Sequence, residues 1–199
     1  VKNRDPRLQQ TVLCPNYIQK GETTVTANDL TAYCGYRPIK FVGTKDHDGA
    51  AKSTSDWPLM RAAEVYLNYA EAMNEAYGPD GKGIYGKSAR EAVNEVRGRV
   101  GMPEVLADSK EEMREKIRHE RRVELAFEDH RFWDVRRWMT APDDLNAPLK
   151  GVKVTRLSYN SFEYQSVEVE SRSFKRSMYF YPIPQNELNI TGWPQNPLW

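Results

Sequence analysis

The apolar positions in the middle of this chain recur three and four residues apart, which is the spacing of amphipathic helices. The first predicted helix runs from Trp57 to Tyr77, with Asp56 as its N-cap and Pro58 in its first turn, where the missing N–H is tolerated. The dipeptide Gly78-Pro79 ends it. Its apolar stripe is Leu59, Ala63, Tyr66, Ala70, Met73 and Tyr77.

Two further helices carry start signals of their own. Ser88 is followed three residues later by Glu91, and Ser109 is followed in the same way by Glu112. This spacing predicts a capping box, in which the serine and glutamate side chains satisfy free N–H groups of the first turn. A short fourth helix is predicted from His130 to Met139.

The first two helices present small residues to each other and are joined by a short glycine-rich connection. This is the arrangement of a helical hairpin of the tetratricopeptide type. One such pair cannot bury both of its faces, so it needs a neighbouring repeat or another layer.

The last quarter of the chain changes to strand-like alternation. Val152–Leu157 and Phe162–Val169 alternate with a turn at Tyr159–Ser161, which predicts a β-hairpin. The proline-rich tail is expected to be extended and anchored by its aromatic residues. The predicted fold is mostly α, with a tetratricopeptide-like helical scaffold, long loops and a small β-hairpin. We expect residues 1–199 to form a single piece, with a helical core at about 56–140 and a loop and hairpin region at about 141–199.

Composition narrows the possible functions. The 199 residues contain 29 Lys and Arg and 28 Asp and Glu, so the chain lacks the basic excess of a nucleic-acid binder. No apolar run reaches the roughly 20 residues that a membrane span requires. Two cysteines are too few for a disulfide framework or a zinc site, and a bridge between Cys14 and Cys34 stays an open alternative to free thiols. Because the chain begins at Val1 without a signal peptide, we expect it to be part of a longer or processed polypeptide.

The third predicted helix places Glu120 and Glu124 within its apolar sector. Carboxylates on a buried face need cationic partners, since burying an unpaired charge is costly. We therefore predict a buried structural ion-pair network that joins the third helix to the fourth. Its members are Glu120, Arg121, Glu124, Arg131 and Arg136.

A catalytic carboxylate pair is the alternative interpretation of Glu120 and Glu124, because paired acids hydrolyse glycosidic bonds. The nearby arginines would keep both pKa values low, which removes the general acid, so we favour structure over catalysis. His119-Glu120 lacks the second histidine of a zinc-protease helix. We predict no catalytic residue, no metal ligand and no cofactor.

Four stretches resemble motifs of the SusD/RagB family of outer-membrane nutrient-binding lipoproteins, in the order of the C-terminal part of that family. One position differs, since Asp129 stands where a glycine is commoner in the family. The four stretches are DPRL (Asp5–Leu8), RAAEVYLNYAEAMNEA (Arg61–Ala76), IRHERRVELAFEDHRFWDVRRW (Ile117–Trp138) and YFYPIPQNELNITGWPQNPLW (Tyr179–Trp199).

This resemblance implies a binding protein rather than an enzyme. Members of the family are longer than this chain and lie on the outer face of the outer membrane in Bacteroidetes. They are held there by a lipid on an N-terminal cysteine, and this anchor is absent from the present chain. They cover a SusC-type TonB-dependent transporter and deliver glycans, or in some cases peptides, to it. The motifs above are scaffold motifs and bring no ligand-binding residue with them.

Three aromatic residues outside the helical stripes, Tyr33, Tyr36 and Trp57, are our candidates for stacking on sugar rings of an oligosaccharide or polysaccharide. The structural alternative is that they pack on the scaffold beneath them. A helical-repeat adaptor that binds only protein partners is the competing hypothesis for function.

Overall fold

A computed structural model describes residues 4–13, 37–41, 57–158 and 161–199. Its chain divides into two compact units, Val1–Arg131 and Phe132–Trp199. Cys14, Cys34, Tyr33 and Tyr36 lie outside the described residues. Among the described residues, no helix combines the length and the apolar character needed to cross a membrane.

The described part of the first unit contains three helices of ten or more residues and one short helix. In chain order its elements are α1 (Leu8–Thr11), β1 (Val12–Leu13), β2 (Arg37–Pro38), α2 (Ala62–Tyr77), α3 (Ala89–Gly98) and α4 (Lys110–Glu124). Strands β1 and β2 pair antiparallel, with Val12 opposite Pro38. Helix α2 packs on both α3 and α4.

Small and medium-sized side chains fill the core between α2, α3 and α4. Burial of each larger apolar side chain contributes roughly 1.5–3 kcal/mol to folding. The innermost members are Leu67 and Ala70 from α2, Ala92 and Val93 from α3, and Met113 and Ile117 from α4.

Helix α2, the first helix predicted from the sequence, begins later than predicted. It starts at Ala62, and its N-cap is Arg61, whose backbone is extended at φ −144° and ψ 160°. The buried stripe follows Leu67, Ala70 and Met73, whereas Leu59 is 90% exposed. The Arg61 side chain is held by carboxylates of α4 and of the segment after it, which fixes the chain in an extended form just before the helix.

The starts of the next two helices agree with the sequence. Ser88 Oγ accepts from the Glu91 N–H at 3.2 Å, and Glu91 Oε2 accepts from the Ser88 N–H at 2.7 Å, which completes the capping box. Ser109 Oγ accepts from the Glu112 N–H at 3.1 Å. Glu112 itself accepts from the N–H of Asp108, so the second box is only half formed.

The turn after α4 uses left-handed backbone at residues other than glycine. Phe127 has φ +62° and Asp129 has φ +61°. Asp129 stands where glycine is commoner in the family that this chain resembles. Aspartate is among the residues that tolerate the left-handed conformation best.

The second unit contains short helices and a hairpin. Its elements are α5 (His130–Arg137, which begins before the division between the units), α6 (Ala141–Leu145), β3 (Leu149–Ser158), β4 (Ser161–Glu170), a 3₁₀ turn (Arg176–Tyr179) and α7 (Gln185–Thr191). Val135, Ala141 and Phe174 form its small core.

The predicted hairpin is confirmed and is longer than the sequence pattern indicated. Strands β3 and β4 pair antiparallel, with Val154 opposite Tyr164, and residues 159 and 160 lie outside the described part. The tail was predicted to be extended, yet it contains α7, which begins after Pro184 and ends at Gly192 in the left-handed conformation. The indole of Trp199 anchors the tail by donating to the carbonyl oxygens of Ser177 and Phe180.

Candidate functional site

Two carboxylates of α4 lie at the centre of a buried group of charges. Glu120 is 2% exposed and Glu124 is 3% exposed. They are four residues apart and therefore neighbours on the same face of the helix. We call the charged residues around them the ion cluster. Its members among the described residues are Asp5, Arg7, Lys40, Arg61, Arg97, Arg99, Glu120, Glu124 and Glu128.

Glu120 accepts hydrogen bonds from two arginines that are distant in sequence. Nη1 of Arg7 lies 2.5 Å from its Oε1, and Nη1 of Arg97 lies 2.7 Å from its Oε2. Arg7 is oriented by Asp5, which accepts from its Nε and Nη2 at 3.0 and 2.6 Å. A short loop motif and the end of α3 thus both bind to α4.

Glu124 is surrounded by three guanidinium groups. Its Oε1 accepts from Arg61 at 2.6 Å and from Arg99 at 2.8 Å. Its Oε2 accepts from Arg7 at 2.8 Å and from Arg99 at 3.1 Å. Both carboxylate oxygens are therefore bonded to cations, which compensates the cost of burying the charge.

The C-terminal end of α4 is closed by two further cationic contacts. The backbone oxygen of Glu124 accepts from Lys40 at 2.8 Å and from Arg61 at 2.6 Å. The carboxylate of Glu128 accepts from the same two side chains at 2.5 and 2.7 Å. Cations at this position satisfy unpaired carbonyls and oppose the helix dipole.

These contacts favour the ionised form of Glu124 and Glu128. Burial alone would raise the pKa of Glu124, but hydrogen bonds from Arg7 and Arg61 outweigh it and hold this pKa below its usual range. Burial acts in the same direction on Glu128, and hydrogen bonds from Arg61 and Lys40 again leave its pKa lowered. A general acid needs a raised pKa, so neither side chain is suited to that role.

The arginines that bind the two carboxylates include four that are distant from them in sequence. Arg7, Arg61, Arg97 and Arg99 contact Glu120 or Glu124, and the predicted participation of Arg121, Arg131 and Arg136 in this network stays a prediction. Arg121 is buried and donates to Asn68 Oδ1 at 2.6 Å. Arg136 donates to the carbonyl oxygen of Phe132 and lies 3.5 Å above its ring. Periodicity locates the buried carboxylates, but it cannot show which distant segment folds against them.

A small pocket opens beside the ion cluster, and we call it the cluster pocket. Its volume is about 210 Å³. It is lined by Arg7, Gln10, Thr11, Lys40, Phe41, Arg61, Arg99, Val123 and Glu124. Its walls combine charged side chains with the aromatic ring of Phe41, whose backbone is left-handed at φ +63°.

Trp57 is the one candidate aromatic residue that falls within the described residues. Its ring packs edge-on against Phe41, with centroids 5.4 Å apart and planes at 61°. Trp57 remains 53% exposed, so half of its surface is open to a ligand. Phe41 is not one of the three candidates chosen from the sequence, although it lies in the same irregular region as Tyr33 and Tyr36.

A second, larger cavity lies along α2, and we call it the α2 groove. Its volume is about 690 Å³. Its lining is mainly apolar and aromatic, and consists of Ala62, Val65, Tyr66, Tyr69, Tyr85, Gly86 and Lys87. The four members from α2 have the spacing of one helix face, which is the pattern of a surface that receives another helix.

The comparison with known families decides the assignment. A model described as the SusD family matches residues 1–199. The chain belongs to the SusD family. No curated protein matches it.

Solved structures give the same fold for this SusD-family chain. A SusD-like protein from Bacteroides fragilis is 30% identical, with a TM-score of 0.80 over 100% of this chain and 40% of that protein. A SusD superfamily protein from Parabacteroides distasonis is 21% identical, with a TM-score of 0.62 over 100% of this chain and 40% of that protein. A SusD homolog from Bacteroides thetaiotaomicron is 24% identical, with a TM-score of 0.60 over 98% of this chain and 41% of that protein. The chain thus spans about two fifths of the length of these proteins.

Three of the four SusD-like stretches meet in the ion cluster. Asp5–Leu8 supplies Arg7, Arg61–Ala76 supplies its first arginine, and Ile117–Trp138 supplies all three glutamates. In the described part of the chain, these motifs therefore contribute to a structural network of buried ion pairs.

Proposed function

We propose that this SusD-family chain is part of a cell-surface protein that binds oligosaccharides or polysaccharides and delivers them to a SusC-type TonB-dependent transporter. Membership of the family supports this proposal, and the matched structures come from Bacteroides and Parabacteroides species. The protein would lie on the outer face of the outer membrane, tethered by a lipid anchor.

The charges on α4 favour binding over catalysis. Glu120 and Glu124 of this helix are buried and bonded to arginines. An acid that hydrolyses glycosides must hold a proton near neutral pH and face an open cleft. The ion cluster therefore supports a non-enzymatic role.

The exposed ring of Trp57 is the observation that carries the site proposal. Tryptophan offers a broad apolar face for a sugar ring and an N–H group for a hydroxyl. Contact with Phe41 fixes this ring on the scaffold, which limits the rotamer entropy lost when a ligand binds. We propose Tyr33, Tyr36 and Trp57 together as the glycan-contacting residues.

Isothermal titration of the intact protein against a panel of neutral and acidic oligosaccharides tests this site. We expect alanine replacement of Tyr33, Tyr36 and Trp57 to abolish measurable binding, and Trp57→Ala alone to weaken it about tenfold, near the value of one lost stacking contact. Trp193→Ala is the matched control, because Trp193 is also well exposed but belongs to the second unit. Unchanged affinity in the triple variant would refute the site assignment.

Delivery to the transporter needs a separate test in cells. Deleting the gene for this protein in its native host is expected to slow uptake of a labelled glycan, and the wild-type gene should restore it. Uptake that is unchanged across low glycan concentrations would argue against the delivery role.

The α2 groove favours a second candidate function, that of a helical-repeat adaptor that binds only protein. Its helical spacing and mainly apolar lining suit an amphipathic helix. This alternative predicts no saccharide affinity at all, and it predicts that Tyr66→Glu abolishes binding to a partner protein. Glycan binding that survives Tyr66→Glu would favour the first proposal.

A further inference from the structure

The ion cluster contains more positive than negative groups. Within the described residues, five cationic side chains face four carboxylates: Arg7, Lys40, Arg61, Arg97 and Arg99 against Asp5, Glu120, Glu124 and Glu128. Hydrogen bonds from Arg7 lower the pKa of Asp5 as well, so all three carboxylates with a shifted pKa favour their ionised form. Counted over these nine described side chains, the cations exceed the carboxylates by one.

Arg99 is the cation of the cluster that is best placed to bind an additional anion. The hydrogen bonds of Arg7, Lys40 and Arg61 run inward to carboxylate or carbonyl oxygens of the cluster. Among the described residues, Arg99 donates through Nη2, to both oxygens of Glu124. Its side chain is 57% exposed, so this guanidinium is the one of the cluster most accessible to a ligand.

The cluster pocket places this guanidinium beside an aromatic wall. Arg99 and Phe41 both line the pocket, and the ring of Phe41 packs against the half-exposed ring of Trp57. Glu124 also faces the pocket, but three guanidinium groups already neutralise it. At about 210 Å³, the pocket is smaller than a typical cavity for a drug-sized ligand, and it suits a single monosaccharide unit.

We infer that the cluster pocket binds the carboxylate of an acidic sugar residue, a uronic acid, within a longer glycan. Arg99 donates to this carboxylate, while the pyranose ring lies against Phe41 and Trp57. The inference rests on the proposed glycan-binding function and specifies the class of glycan. An acidic peptide would also supply a carboxylate, but the aromatic pair beside Arg99 favours a flat, partly apolar ring.

Comparing the binding of a charged oligosaccharide with that of its neutral ester tests the inference. An oligogalacturonide and its fully methyl-esterified form have the same sugar backbone and linkages and differ only at the carboxyl groups, which are charged in the first and neutral methyl esters in the second. In isothermal titration with the intact protein at low salt, we expect the acidic form to bind about tenfold more tightly, the size of one charge-assisted hydrogen bond. This preference should shrink as salt is added.

Variants assign the preference to Arg99. Arg99→Gln is expected to remove the advantage of the acidic oligosaccharide over the ester. Arg114→Gln is the matched control, because Arg114 is a surface arginine that pairs with Glu75 outside the ion cluster, and it should keep the full preference. Circular dichroism of each variant verifies that the fold is intact.

Each other outcome overturns the inference. Equal affinity for the two forms would refute the acidic-sugar site and leave the glycan-binding proposal standing, as would a preference that survives Arg99→Gln. Tight binding of a triglutamate peptide at the same pocket would replace the sugar by a peptide. Absence of binding to both oligosaccharides, with neutral glycans from the panel still bound, would refute the inference alone, whereas absence of binding to every glycan would refute both proposals.

Discussion

Arg7 and Glu120 are 113 positions apart in sequence, and their side chains are joined by a buried hydrogen bond of 2.5 Å. The same nitrogen of Arg7 also reaches Glu124 at 2.8 Å. One arginine in a short loop motif therefore neutralises two carboxylates on the inner face of α4. The stability of the first unit depends on this single side chain more than its place near the start of the chain would indicate.

Replacement of Arg7 is expected to destabilise the protein strongly. Arg7→Gln leaves two buried carboxylates short of a cation, and breaking a buried ion pair on one side costs about 3–5 kcal/mol. Urea unfolding followed by circular dichroism measures the change in free energy. Arg114→Gln serves as control, because its partly exposed pair with Glu75 should contribute no more than about 1 kcal/mol. A loss below about 1 kcal/mol for Arg7→Gln would show that the remaining arginines compensate fully.

Acid should weaken the first unit through Glu124 and Glu128. Both have a pKa in the folded state below the ordinary value of 4.5. Their contribution to stability is therefore fully present above that ordinary value and is lost as the pH falls through the lower pKa of the folded state. The free energy of unfolding, measured by urea between about pH 7 and about pH 3, should fall steeply on the acid side.

A substitution at Glu128 separates its contribution to the acid dependence of stability. Glu128→Gln is expected to lower stability near neutral pH and to flatten the acid-side slope, because one of the linked carboxylates is gone. Glu115→Gln, a change at a side chain that is 71% exposed, should leave the slope as it is. Equal slopes in all three proteins would exclude Glu128 as a source of the acid dependence.

The two serine caps should differ in strength. Ser88→Ala removes the serine half of a complete capping box and is expected to cost about 1 kcal/mol. Ser109→Ala removes one bond from a box that is only half formed, so its cost should be smaller. Thermal unfolding of both variants compares them directly, and Ser88→Asp should restore most of the loss because aspartate caps equally well.

Two glycines of the first unit should respond to alanine in opposite directions. A Cβ at Gly81 would lie 2.4 Å from the backbone oxygen of Tyr77, so the chain must move, and a loss of about 1–3 kcal/mol is expected. A Cβ at Gly98, the last residue of α3, meets nothing within 4 Å. Gly98→Ala should stabilise the protein by about 0.4–1 kcal/mol. Unfolding midpoints that move the same way in both variants would contradict this assignment.

Local signals in the sequence predicted the fold class well. The serine caps, the helical stripes and the alternation of β3 and β4 depend on residues close together in the chain. Such short-range patterns can be identified without knowing the tertiary contacts. The start of α2 was misplaced, because Asp56 and Pro58 resemble a helix start while Arg61 is held in an extended conformation by carboxylates more than sixty positions away. A local rule cannot detect that constraint.

The site was only partly predictable for the same reason. Glu120 and Glu124 stand out on a helical wheel, because polar residues on an apolar face need an explanation. Two of their partners, Arg7 in a loop and Arg61 in the extended segment before α2, belong to segments without periodicity. The SusD-like motifs had already marked both positions, although nothing in the motifs said which carboxylates they bind.

The long sequence separation within the ion cluster also has a consequence for the newly made chain. Arg7 leaves the ribosome more than a hundred residues before Glu120, so the two cannot meet until α4 has been synthesised. The helices α2, α3 and α4 make contacts over much shorter separations and can associate first, because closing a long loop is slow. We therefore expect Arg7 to bind α4 late in folding, after α2, α3 and α4 have associated.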